Sequence, residues 1–314
     1  MESAQIDDRL ESFIEAMYTA SNLILEASPD FVLAPMNGSV PFIDAMTIVN
    51  SNFDPSKVVY MPASSKIDGV NEVISEWYLN FLKENVKVPT KIPRIIGIDE
   101  VVSGGSVVRC LHNIDRAVNS ERASETQSLV QRLTSHDPQV SISAINDMDL
   151  LTDNEHSYEF ADIKRKVEEG HYRENPQFAK TTLNSLVNIF KSALGKRLTY
   201  RTIGIEDSKR EGKRNKEYSD LKDKGRVVPV GVRTIITMDI PDFCPPRFME
   251  KPITNEKRRD YTRCLPIVQD FYVTPRYLNF LQKLAVHVGR NPHEVNPVNM
   301  IPILESNRYL PSYR

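Results

Sequence analysis

The stretch from Arg94 to Leu111, R-I-I-G-I-D-E-V-V-S-G-G-S-V-V-R-C-L, constrains the fold of this chain more than any other. Ile95, Ile96, Gly97 and Ile98 form a short apolar run, the pattern of a strand buried on both faces. Asp99 and Glu100 follow, then two valines, then Ser103-Gly104-Gly105-Ser106, then an apolar run that opens a helix. Glycines let a loop backbone turn its N–H groups inward, and the two flanking hydroxyls can donate to oxygen. The loop is therefore shaped to hold an anion at a helix N-terminus, with phosphate the obvious candidate. Ligands of open α/β sheets bind at the carboxyl ends of the strands. A carboxylate at Asp99 can there accept bonds from sugar hydroxyls or hold a magnesium ion through water.

Two other phosphate motifs are excluded. No Lys-Ser/Thr follows the glycines, as a Walker loop requires, and there is no G-x-G-x-x-G of a dinucleotide fingerprint. The remaining alternative is an ordinary strand, turn and helix whose glycines serve only the turn. Strand, acids, spacing and both hydroxyls together favour the phosphate loop.

Asp99 through Ser106 resembles the phosphoribosyl-diphosphate (PRPP) loop of type I phosphoribosyltransferases, acid-acid-apolar-apolar-x-Thr-Gly-x-Thr. The match that keeps the spacing puts Asp99 on the second acid, Ser103 and Ser106 on the threonines and Gly104 on the glycine. Ile98 then occupies the first acid, a departure. The resemblance implies that Asp99 binds the ribose hydroxyls and Mg2+, and that Val102, Ser103, Gly104, Gly105 and Ser106 wrap the 5′-phosphate. It implies transfer of ribose 5-phosphate from PRPP to a nitrogen acceptor, a nucleobase, with release of pyrophosphate. The 6-oxopurine members carry a proton-transferring Asp where this chain has Val102, which puts a hypoxanthine or guanine acceptor in doubt. Glu100 is the substitute acid, or else a plain strand-end acid.

The same resemblance extends to two loops. Asn37-Gly38-Ser39 looks like the loop that grips pyrophosphate, with a plain turn as the alternative, and Asp44-Ala45-Met46 resembles the Asp-Leu that follows it. No Lys or Arg stands beside Gly38, so pyrophosphate must be neutralised by magnesium or from elsewhere. Ser64, Ser65 and Lys66, in the polar segment from Pro62 to Gly69, are the residues expected to touch pyrophosphate when that loop closes. A side chain at Gly104 or Gly105 is expected to block the inward approach of the backbone or to forbid a positive φ, so that Gly105→Val should damage the loop more than Ser106→Ala, which removes one hydroxyl.

With 314 residues, 40% apolar and 26% charged, the chain has room for one large or two modest buried cores. Apolar runs at 31–36, 58–61, 95–98, 140–145 and 202–207 alternate with helical patterns. This predicts an α/β fold, a doubly wound sheet of about five parallel strands, with 227–238 completing the sheet or its edge. The charged and amphipathic segment 147–198 reads as a helical insertion within a domain spanning 1–240. Residues 241–314, with a helix over 277–288, read as an accessory segment packing on the core or on a second subunit. The apolar stripe of Glu72 to Lys83, including Trp77 and Tyr78, reads as core and not as a base-stacking surface.

A net charge of -2 argues against bulk electrostatic binding of nucleic acid. The basic stretch from Lys209 to Arg226 is a solvated face, a polyphosphate patch, or the contact of a nucleic-acid-linked enzyme whose affinity would fall steeply with salt. Cys110, Cys244 and Cys264 are too few and too far apart for a disulfide framework or zinc site. No leader or long apolar run is present, which implies a cytoplasmic protein with no membrane association. The alternative to turnover is a non-catalytic PRPP- or nucleotide-binding regulator, favoured by Asn37 and Ile98 where charged residues are expected.

Overall fold

In the computed structural model, residues 2–36, 38–170, 176–235, 246–250, 264–271, 273–297 and 300–311 are described. Strands β1 (Phe31–Met36), β2 (Val58–Pro62), β3 (Ile95–Val101), β4 (Arg201–Asp207) and β5 (Val227–Val232) form one sheet in the order β2-β1-β3-β4-β5. Every pairing is parallel, with Val32 opposite Val58, Leu33 opposite Gly97, Asp99 opposite Gly204 and Glu206 opposite Gly231. Parallel strands need crossover connections, and helices α1 (Glu2–Ala27), α2 (Val40–Val49), α3 (Val70–Asn85) and α4 (Gly105–Leu133) alternate with the early strands. The strands are accordingly largely buried, with five of the six β1 residues and six of the seven β4 residues closed to solvent and the acids gathered at the carboxyl ends of β3 and β4.

Strand order reverses between β1 and β3. The chain steps outward from β1 to β2, then returns past β1 to build β3, β4 and β5. Loops leaving the carboxyl ends of β1 and β3 therefore part in opposite directions and leave a crevice between them, the usual ligand position in such sheets.

One expected strand is a helix. Residues 140–145 lie inside α5 (Pro138–Leu151), where Ser141, Ala144, Ile145, Met148 and Leu151 are buried at helical spacing. The Asp137 side chain accepts from the Gln139 N–H and Pro138 occupies the first turn, both helix-start signals. The alternating Val140, Ile142 and hydroxyl residues imitate a strand, but the cap decides. Five parallel strands are present nonetheless, because β5 fills the place left empty.

The described chain forms two compact units. One, the sheet unit, comprises residues 1–80, 94–115 and 200–314; the other comprises 81–93 and 116–199. The second is helical, containing the latter part of α4, α5, α6 (Ser157–Glu168) and α7 (Pro176–Arg197) around Ile145, Met148, Phe160, Leu186 and Leu194. Within the sheet unit, α8 (Lys216–Asp223) precedes β5. Beyond β5, β6 (Pro246–Glu250) pairs antiparallel with β7 (Cys264–Phe271), and α9 (Pro275–His287) packs on α2.

This C-terminal region supplies core: Val268, Tyr277, Leu281, Leu284 and Ile303 belong to the same apolar cluster as Val32, Phe42 and Ile98. The Trp77 indole, fully buried, donates to the Ser306 carbonyl at 2.8 Å and meets the Tyr309 ring edge-on at 5.0 Å. Trp77 and Tyr78 are thus core residues and present no face for stacking a base. Cys110 and Cys264 are buried free thiols, whereas Cys244 and His171 fall outside the described residues. No helix among the described residues is long and apolar enough to cross a membrane.

Candidate functional site

At the carboxyl end of β3 the backbone turns through Val102, Ser103 and Gly104 into the N-terminus of α4. Gly104 has φ +79°, a left-handed conformation that a side chain disfavours, and its carbonyl accepts the first helical bond from the Val108 N–H at 3.0 Å. A Cβ on Gly104 would also lie 2.5 Å from Tyr218 of α8. Gly105 needs no special conformation, and a Cβ there would meet only Ser103 Oγ at an ordinary 3.5 Å. Of the two glycines expected to resist a side chain, Gly104 is therefore the constrained one, and Gly105 is not.

A cavity of about 260 Å³ opens over the ends of β1 and β3, at the strand-order reversal. Asp99, Glu100, Val102, Ser103, Gly104 and Ser106 line it together with Gly38 after β1 and Ser64 and Ser65 after β2. Three loops remote in sequence thus converge on one polar space. Gly105 and Lys66 do not line it; Lys66 is exposed, and its carbonyl accepts from the Cys264 N–H at 3.0 Å. Asn37 lies outside the described residues. Ser39 is buried beneath the cavity, where its hydroxyl donates to the Ile98 carbonyl at 2.7 Å and lies 3.5 Å from Asp99 Oδ1. It braces Asp99 and does not face the cavity.

Asp99 is 4% exposed. Its Oδ1 accepts from the Glu100 N–H at 2.8 Å and its Oδ2 from the Ser106 hydroxyl at 3.1 Å, so the strand-end acid and the loop hydroxyl are held as one piece. Burial pushes the Asp99 carboxyl up to about 6, against these bonds and the nearby Arg109 guanidinium. Burial, reinforced by the neighbouring Asp99 charge, pushes Glu100 up to about 7, with Arg210 opposing. Glu100 fits here because residue 38 has no side chain: a Cβ on Gly38 would lie 3.1 Å from Glu100 Oε2. Although Ile98 is buried in the core, two carboxyl groups still meet at this strand end, since Glu100 joins Asp99. Ionising both in one poorly solvated space is unfavourable, and both carboxyl groups accordingly hold their protons above the ordinary carboxylate range.

Two contributors escaped the reading of the sequence. Arg109, in the second turn of α4, lines the same cavity. Tyr218, from the basic stretch, packs on Gly104 and donates to Glu206 Oε1 at 2.7 Å. Glu206, buried at the end of β4, is also met by Arg214 at 3.0 Å and Lys222 at 3.2 Å. Arg226 forks onto Asp115 at 2.7 and 3.2 Å. Part of the basic stretch is thereby engaged with internal acids, and through Tyr218 it backs the glycine turn. Spacing could have flagged Arg109, since residues three apart share a helix face and Ser106 stands three positions before it.

No cluster of three or more His, Cys, Asp or Glu placed to hold a metal occurs among the described residues. Comparison of the chain with family models, curated proteins and solved structures finds no match in any of the three.

Proposed function

We propose that this chain binds PRPP at the cavity over β1 and β3 and transfers its ribose 5-phosphate to a nitrogen nucleophile, releasing pyrophosphate. The observation that carries this reading is the convergence of Asp99, Glu100, the 102–106 turn and Ser64-Ser65 on one polar cavity at the strand-order reversal. In this reading the 5′-phosphate occupies the turn at the start of α4, where backbone N–H groups, the helix dipole and the Ser103 and Ser106 hydroxyls meet it. Asp99, fixed by Ser39 and Ser106, orients the ribose hydroxyls.

The bond from C1′ to the pyrophosphate oxygen breaks, and a bond from C1′ to the acceptor nitrogen forms. The acceptor's proton passes to Glu100, whose carboxyl sits near 7 and can be unprotonated before the reaction and protonated after it. The donor set fits Mg2+. Asp99 would hold it: a desolvated carboxylate, in a site without a cluster of three or more His, Cys, Asp or Glu among the described residues, suits an ion that keeps waters and takes its other oxygens from phosphates. When bound, it would neutralise the leaving pyrophosphate. Positioning and charge stabilisation carry the rest of the rate.

Exposure of Lys66 outside the cavity favours a second reading, a regulator that binds PRPP or a nucleotide without turnover. Calorimetry with PRPP and Mg2+, followed by a pyrophosphate-release assay over a panel of nucleobases, separates the two. Binding with release supports transfer, and binding without release supports the regulator. An absence of binding removes both.

A further inference from the structure

Arg109 is the cavity residue whose bonding is left incomplete. Its guanidinium donates to the Ala63 carbonyl at a long 3.5 Å, and its Nε is closed to solvent with no acceptor. Among the described residues it forms no ion pair, whereas Arg214 and Arg226 of the same unit meet Glu206 at 3.0 Å and Asp115 at 2.7 Å. A desolvated guanidinium donor without a partner is unfavourable, and its planar fork matches paired phosphoryl oxygens better than any other side chain.

Its position narrows the ligand. The 102–106 turn lies at the end of β3, while Ala63 follows β2 at the sheet edge beyond β1. Arg109 starts on the helix that the turn opens and reaches the β2 side of the cavity. A ligand with one phosphate, seated in the turn, would leave the guanidinium unused. A sugar phosphate with a second anionic group towards Ser64 and Ser65 would satisfy it. The turn at Gly38 has no neighbouring Lys or Arg to take that role.

We infer that Arg109 is the cation that recognises the diphosphate of a phosphorylated sugar diphosphate, making the cavity selective for PRPP over ribose 5-phosphate. The inference rests on the reading of the site given above and adds the residue that distinguishes its two ligands.

Calorimetry on the full chain with three probes tests it: ribose 5-phosphate, PRPP with Mg2+, and pyrophosphate with Mg2+. The wild type should bind PRPP more tightly than ribose 5-phosphate. Arg109→Ala should weaken PRPP and pyrophosphate roughly ten- to a hundredfold, the loss of a charged hydrogen-bonding group. Ribose 5-phosphate should change by less than about twofold, within the scatter of such measurements. Arg109→Lys, which keeps the charge and loses the fork, should fall between. Arg109→Gln provides a folded comparison if thermal melts show the alanine variant to be unstable. Unchanged PRPP affinity in a folded variant, or an equal loss of both sugar phosphates, overturns the role of Arg109 while the phosphate turn stands. A wild type that binds none of the probes overturns the site itself, and this inference with it.

Discussion

Gly104 and Tyr218 occupy each other's space: the hydrogen of the glycine Cα stands where a Cβ would come within 2.5 Å of the tyrosine Cβ and Cγ. The turn that opens α4 is thus defined from outside, by a ring that α8 presses onto it, as well as by its own left-handed φ of +79°. Gly104→Ala should therefore cost about 1–3 kcal/mol for the backbone conformation alone, with the displacement of Tyr218 added. Gly105→Ala should stay within about 1 kcal/mol of wild type, the ordinary cost of a compatible substitution. Urea unfolding of both variants checks the order, and a more damaging Gly105→Ala would contradict the geometry.

Tyr218 should separate packing from hydrogen bonding. Tyr218→Phe keeps the ring on Gly104 and removes the bond to Glu206, so stability should fall by about 1–3 kcal/mol with ligand affinity nearly retained. Tyr218→Ala opens space over the turn and should lower both. Glu206→Ala leaves the mostly buried Arg214 without its carboxylate, the partly exposed Lys222 losing much less, and should cost about 3–5 kcal/mol. Equal effects of the Phe and Ala variants on ligand binding, measured by calorimetry, would mean that the ring does not support the turn.

The acids at the end of β3 predict a pH dependence of stability with a definite sign. Asp99 and Glu100 hold protons more tightly folded than unfolded, so the native state binds more protons between about pH 4 and pH 7. Their contribution is fully favourable below about pH 4, falls as pH rises through 6 to 7, and is level above. For Asp99, taking the carboxyl from 3.8 to about 6 corresponds to up to about 3 kcal/mol. Asp99→Asn should be more stable than wild type at pH 8, by about 1–3 kcal/mol, with the difference shrinking towards pH 4.5. The same variant should bind PRPP with Mg2+ more weakly. A stability difference independent of pH would place the Asp99 carboxyl in a solvated setting.

Tyr277 ties the C-terminal region to the first crossover. Its hydroxyl donates to Asp44 Oδ2 at 2.5 Å, with the tyrosine fully buried and the aspartate 2% exposed. Tyr277→Phe should cost about 1–3 kcal/mol, the range for a buried hydrogen bond to a carboxyl group. Truncation before Pro275 should abolish cooperative unfolding, because it strips α9 from α2 and removes the acceptor of the Trp77 indole. A truncated chain that still melts cooperatively near the wild-type temperature would show that the sheet unit closes its core without α9.

The strand, turn and helix around Asp99 were legible in the sequence because every local signal agrees there: an apolar run too short for a helix, acids at its end, glycines, hydroxyls and a new apolar run. The single-face pattern of α9 was legible for the same reason. Residues 140–145 misled because a six-residue alternation fits a strand as well as a buried helix stripe, and the deciding information lay in the Asp137-Pro138 cap. Only the tertiary structure decided which loops share the cavity. Ser64, Gly38 and Ser103 are brought together by strand order, and no local pattern encodes which strand lies beside which. Burial of Asp99, the adjacency of Glu100 to Gly38, the choice of Gly104 over Gly105, and the direction of Arg109 all depend on neighbours far along the chain. A side chain's chemistry is written in the sequence, but its solvation, its charge neighbours and the space around it exist only once the sheet has closed.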